Sequence, residues 1–228
     1  MVFSITQCKQ LLVLAFISIF ICSATLVSAS ETVLFSDGFE TNDFSAWNDV
    51  DQNWFTVNSA PGAHSGNIRA EARGNAISSN NSLVTTISTV DHELIVLSFW
   101  YRIDDSGFEV SESMTVDYSL NGADWNSIVQ FEDGDETVGW VKWEGNLPAE
   151  VEGVPSLSIR FTMNAGAASD IFKLDDVEIV GALIDYDSDD DGVEDAYDVC
   201  ADTTADSFPE FTDKKAKNLG GCGMGQSG

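Results

Sequence analysis

The stretch that most limits the fold is residues 93–103, Glu-Leu-Ile-Val-Leu-Ser-Phe-Trp-Tyr-Arg-Ile. At the two-residue period of a strand, Leu94, Val96, Ser98, Trp100 and Arg102 share one face. Ile95, Leu97, Phe99, Tyr101 and Ile103 share the other. Both faces are largely apolar, which suits a central strand of a sandwich and not an edge. Trp100 is accordingly expected in the core. Further strand-like stretches lie at 33–35, 53–57, 67–72, 82–88, 114–120, 125–131, 140–143, 156–163 and 171–180, separated by turn residues. Leu157, Ile159, Phe161 and Met163 alternate onto one face, and Asn121 followed by Gly122 signals a hairpin. There is no long stretch of helical period and no Gly-rich phosphate loop. The expectation is an all-β fold, an antiparallel jelly-roll-like β-sandwich over residues 30–182.

Residues 1–29 read as a secretory signal peptide. Lys9 is their only charge, an apolar run covers 11–27, and Val27, Ser28 and Ala29 form a small-residue cleavage pattern. Ten basic residues stand against 38 acidic ones, a formal net charge of −28. That balance argues against nucleic acid and anionic membrane surfaces as partners. It suits an extracellular chain that binds divalent cations.

Ten of the acids crowd into 185–206, where there is no Lys or Arg. Asp187, Asp189 and Asp191 alternate, Gly192 follows, and Asp195, Asp198 and Cys200 complete a fixed spacing. Alternate carboxylates can converge on one hard cation, Gly192 permits the wrapping turn, and the carbonyl of Val193 stands where calcium loops offer a backbone oxygen. The start matches an EF-hand loop, but Asp198 holds the twelfth position in place of Glu, and no amphipathic helices flank it. The pattern D-x-D-x-D-G-x-x-D-x-x-D-x-C resembles the thrombospondin type 3 repeat in a single copy. That resemblance implies a Ca²⁺-binding segment over 183–206, with Asp187, Asp189, Asp191, Val193, Asp195 and Asp198 as ligands. The alternative is a solvated acidic linker.

A second resemblance spans the sandwich. Phe35-Ser-Asp-Gly-Phe-Glu40 opens it and Lys173-Leu-Asp-Asp-Val-Glu-Ile179 closes it. Between them come Ala63-His-Ser-Gly66, Leu97-Ser-Phe-Trp-Tyr101 and Ser119-Leu-Asn-Gly-Ala-Asp-Trp125. Their order is similar to that in MAM-type and carbohydrate-binding-module-like jelly rolls. The resemblance implies a structural cation between Glu40 and Asp176, with Asp37 and Asp175 as further candidates. Hydrogen bonds to loop amides are the alternative means of neutralising these carboxylates.

Catalysis finds little support. His64 and His92 are the only histidines, and no Ser/His/Asp set is identifiable by spacing. Trp140 and Trp143 lie three apart, hence on opposite strand faces, so one of them is a ligand-binding candidate. The tail, 207–228, is Gly-rich and carries the basic island at Lys214, Lys215 and Lys217. Cys200 and Cys222 either pair as a disulfide, worth roughly 3 kcal/mol, or Cys222 is free or processed. Gly220, Gly221 and Cys222 resemble the start of the C-terminal surface-sorting tags of some Gram-negative secreted proteins. No membrane insertion of the mature chain is expected unless such a tag anchors it.

The expectation is a non-enzymatic, secreted or cell-surface, calcium-binding adhesion or ligand-binding protein. Its jelly-roll module sits on a calcium-stabilised spacer, and its partner is an extracellular glycan or a surface protein. The alternative is a non-catalytic carbohydrate-binding module of an extracellular hydrolase.

Overall fold

Ile95, Leu97, Phe99 and Ile103 have no solvent exposure, because one strand aims all four into the space between two sheets. The computed structural model describes residues 31–58, 62–74, 81–104 and 108–186. Its strands are β1 (Glu31–Asp37), β2 (Asp49–Val50), β3 (Trp54–Asn58), β4 (Ile68–Arg73), β5 (Asn81–Ile87), β6 (His92–Ile103), β7 (Ser113–Ser119), β8 (Asn126–Phe131), β9 (Val141–Asn146), β10 (Leu157–Asn164) and β11 (Ile171–Leu183). One sheet has six strands, in the order β3-β4-β11-β6-β9 with β1 also paired to β11. The other has five, in the order β2-β5-β10-β7-β8. Every pairing is antiparallel. From β5 to β7 and again from β8 to β11, successive strands alternate between the sheets except at the β7–β8 hairpin. This is the expected jelly-roll-like sandwich.

The core lies where the two inner faces meet. Leu157, Ile159, Phe161 and Met163 of β10 are fully buried, as their alternation predicts. Phe161 meets Phe99 edge-on across the sheets, with centroids 5.1 Å apart, and Trp47 packs edge-on against Phe161 at 6.0 Å. T-shaped aromatic contacts of this kind add to the area that they bury. Ala70 and Ala72 of β4 are also fully buried, and register places Ala72 beside the buried Trp54. Small residues here leave room for that indole.

Two features depart from the sequence expectation, and the expected hairpin forms with a longer loop. Trp100 is not in the core. It stands on the outer face of β6, half-buried, while its neighbours Phe99 and Tyr101 face inward. β6 is central, between β11 and β9, but its outward face is not closed by a second apolar layer, and Leu94 is 63% exposed. β2 has only two residues, too few to show any period. Asn121 and Gly122 do lie between paired strands, but the connection runs over 120–125. There the Asn121 side chain accepts from the amides of Ala123 and Asp124 at 2.9 and 2.8 Å, and Gly122 takes a positive φ of 72°. The asparagine thus builds a side-chain turn in place of the two-residue hairpin loop. Among the described residues the helical structure is one 3-10 turn at Ala149–Val151, and no helix is long and apolar enough to cross a membrane.

Candidate functional site

The outer face of the six-stranded sheet is built by alternation. In β4, residues 69–73 read Arg-Ala-Glu-Ala-Arg, so the alanines enter the core and Arg69, Glu71 and Arg73 point outward. Register then aligns Phe55 of β3, Glu71 of β4, Lys173 of β11 and Arg102 of β6 in one row across four strands. A neighbouring row holds Asp175, Trp100 and Lys142. Of the six Lys and Arg residues among those described, Arg69, Arg73, Arg102, Lys142 and Lys173 are on this face, and only Arg160 is on the opposite sheet.

Four of these cations are held by shared carboxylates, and Lys142 pairs with Glu144 alone. Arg69 donates through Nε and Nη2 to Glu71 Oε1 at 3.0 and 2.6 Å, and Arg73 Nη2 donates to Glu71 Oε2 at 2.9 Å. Lys173 and Arg102 both bond Asp104, Arg102 through Nε at 2.8 Å. Burial works against the Asp104 charge, but the two cations prevail and hold its carboxyl below the usual value. The Arg73 guanidinium also lies 5.3 Å from the ring centroid of Phe55, which is 41% exposed.

Beside the charges stands an aromatic group. His64 stacks on Trp100 with centroids 3.6 Å apart, and Trp140 approaches His64 edge-on at 6.2 Å. Trp143 does not belong to it. It pairs with Phe99 and stacks on it at 5.2 Å, packed against the core. The two tryptophans therefore do fall on opposite sides, and Trp140 is the one on the outer side.

His64 reaches this place because a turn at 63–67 is tied to the two ends of the sandwich. Register between β11 and β6 slips from Asp175↔Trp100 to Glu178↔Ser98, a bulge that contains Asp176 at φ 45°. A bulge breaks the alternation and re-aims side chains, so Asp175 and Asp176 both reach the same turn. Asp175 Oδ2 accepts from the amides of His64 and Ser65 at 2.7 and 3.3 Å. Asp176 accepts from His64 Nδ1 at 2.6 Å and Ser65 Oγ at 2.7 Å. Glu40 Oε1, from the other end of the domain, accepts from the amides of Asn67 and Ile68 at 2.9 and 2.8 Å. Asp37 instead holds its own loop, accepting from the Phe39 amide at 2.7 Å and Trp47 Nε1 at 2.8 Å. Asp175 has no solvent exposure; burial first, and the Asp176 charge second, push its carboxyl up to about 6 against the three amides that it accepts from.

Glu40 and Asp176 are thus brought to one turn, whose donors bond Glu40 Oε1 and both Asp176 oxygens. Their oxygen donor set suits a hard cation, although no cluster of three or more metal-ligating side chains forms among the described residues. The loop residues Asp187, Asp189, Asp191, Val193, Asp195 and Asp198, together with Cys200, Cys222, the signal peptide and the tail, lie outside the described residues.

The sequence reading missed His64 as part of an aromatic group, Phe55, and the five cations. The alternating Arg-Ala-Glu-Ala-Arg was a legible signal for part of this face, since small inward residues with long outward ones mark a polar outer surface. A cavity of about 300 Å³ also opens beside Glu112, Gln130, Glu132 and Asp133 at the far sheet, but no aromatic residue lines it.

No protein-family model matches the chain, and no curated protein matches it in sequence. Among solved structures it is similar to the carbohydrate-binding module TmCBM61, solved with β-1,4-galactotriose, at 22% identity and a TM-score of 0.44, over 62% of this chain and 92% of that one. It is similar to the CBM22-1 xylan-binding domain of Paenibacillus barcinonensis Xyn10C, at 15% identity and a TM-score of 0.46, over 69% and 99%. It is also similar to the K3 cleaved adhesin domain of Lys-gingipain from Porphyromonas gingivalis, at 19% identity and a TM-score of 0.44, over 66% and 99%. None of these likenesses is close enough to pass a ligand or a residue's role to this chain.

Proposed function

We propose that this chain is a secreted or cell-surface, non-catalytic glycan-binding module whose site is the outer face of the six-stranded sheet. One observation carries the reading: Trp100, His64 and Trp140 form an aromatic group beside a cross-strand row of Phe55, Glu71, Lys173 and Arg102. A sugar ring offers an apolar C–H face to aromatic rings and a rim of hydroxyls to planar donors and acceptors. Placing both kinds of group on one rigid sheet fits that ligand. Adhesion through a surface glycan is one use of such a face; targeting an attached hydrolase is another.

Calcium belongs to the proposal in two places. At the 63–67 turn the support is the convergence of Glu40, Asp175 and Asp176 on one backbone segment. In the acidic stretch it is the spacing of Asp187, Asp189, Asp191, Val193, Asp195 and Asp198 alone. There the bound segment acts as a stiff spacer.

The test is a panel of soluble neutral and acidic glycans titrated against the full secreted chain, with and without calcium, followed by calorimetry and Trp fluorescence. Saturable binding that changes the fluorescence is expected. Absence of binding across the panel in both conditions would sink the reading.

A further inference from the structure

The chemistry of the proposed face narrows its ligand. In a chain of net charge −28, five of the six described cations sit on one side of one sheet. At the end of the face where the row from Phe55 to Arg102 lies, two described carboxylates, Glu71 and Asp104, each serve two cations. The outer cation of each group is accessible: the side chains of Arg73 and Arg102 are 43% and 38% exposed. Arg102 spends only Nε on Asp104, so its two terminal amino groups point to no described partner. Arg73 uses one terminal amino group on Glu71, and its buried Nε has no acceptor. A guanidinium presents parallel N–H donors that match a carboxylate in two-point fashion.

We propose that this end of the face, around Phe55, Arg73, Lys173 and Arg102, takes the carboxylate of a uronic acid, so that the module's ligand is an acidic polysaccharide. The inference rests on the glycan-binding reading above and deepens it. The row from Phe55 to Arg102 crosses four strands, about 14 Å at the usual interstrand spacing, room for a short run of sugars. One ring lies against exposed Phe55 with its carboxylate at Arg73, and a ring further along the row brings its carboxylate to Arg102. The strongly negative chain repels a polyanion as a whole. At physiological salt, however, charges more than about 8 Å away are largely screened, and the cations of this face then decide the contact.

The experiment uses the full secreted chain in calcium buffer at 0.15 M salt. Polygalacturonate, alginate and glucuronoxylan are each titrated beside their carboxyl-reduced counterparts, with a sulfated galactan as a further arm. At least one uronate polymer should bind about tenfold or more tightly than its reduced form. Arg102→Gln and Arg73→Gln should erase that preference, while Arg102→Lys, which keeps the charge without the fork, should retain only part of it. Melting curves for each variant establish that it is folded; should a Gln variant fail to fold, the reduced-polymer comparison on the wild type still decides. Equal or tighter binding of the reduced polymers overturns the inference and leaves the glycan-binding reading standing. Binding of the sulfated polymer alone overturns the carboxylate assignment. Binding of no polymer overturns both.

Discussion

At the scale of single residues, core and surface roles separate cleanly along β10 and β6. Phe161 is fully buried between Phe99 and Trp47, so Phe161→Ala should destabilise the sandwich by about 3–5 kcal/mol, read from denaturant unfolding. A midpoint that does not move would mean that the inner faces are misassigned. Asp175 gives a prediction in pH. Its folded pKa is raised from 3.8 to about 6, so its ionisation weakens the fold. The contribution is intact below 3.8 and is lost as pH rises through about 6. In chelator, with no cation at the junction, the melting temperature of the wild type should therefore fall by several degrees, relative to Asp175→Asn, between pH 4 and 7. A constant difference between the two proteins across that range contradicts the burial of an ionisable Asp175. Which aromatic residues face outward was only half legible at this scale. Trp100 and Phe99 are equally apolar neighbours, and nothing in their identity says which sheet face has a partner layer.

At the scale of elements, the alternating stretches were readable because period two survives wherever one face is buried. What escaped were the places where the period breaks. The bulge at Asp175 to Glu178 brings two successive aspartates to one turn, whereas strict alternation would have sent them to opposite faces. Glu40 and Asp176 were legible as a pair through motif order, but the bonding of Asp176 to the 63–67 turn follows from that bulge, and Glu40 bonds the end of the turn from the loop after β1. The turn itself is tightly built. Gly66 has φ 58°, and a Cβ there would overlap the Glu40 carboxyl. Gly66→Ala should cost roughly 2 kcal/mol of stability and loosen His64 from Trp100. The checks are thermal melting and a change in Trp fluorescence without ligand. An alanine variant with wild-type melting and emission would show that the turn is not held as described.

At the scale of the whole molecule, charge is laid out unevenly. The sandwich presents five of its six described cations on one face, and the acids are densest in the sequence at 185–206. For 183–206 the sequence alone supplies the expectation. Asp191→Ala should abolish calcium-dependent protection of that segment from protease and leave the sandwich melting transition unchanged. Equal cleavage of wild type and variant at every calcium concentration reduces the stretch to an acidic linker. A chelator should likewise lower the melting temperature of the wild type; an untouched melting curve would mean that amide bonds alone hold the junction of Glu40 and Asp176.

The most direct measurement compares the two outer faces. Arg160 lies on the five-stranded sheet, with its guanidinium 4.0 Å from the Trp125 ring centroid, and it serves as the control for Trp140 on the six-stranded sheet. The polysaccharide that binds best in the panel is titrated by calorimetry against wild type, Trp140→Ala and Arg160→Gln. Affinity should fall about tenfold or more in Trp140→Ala, the loss of one stacking contact, and stay within about twofold of wild type in Arg160→Gln. Undiminished binding by Trp140→Ala, or a loss confined to Arg160→Gln, would contradict the placement of the site on the six-stranded sheet.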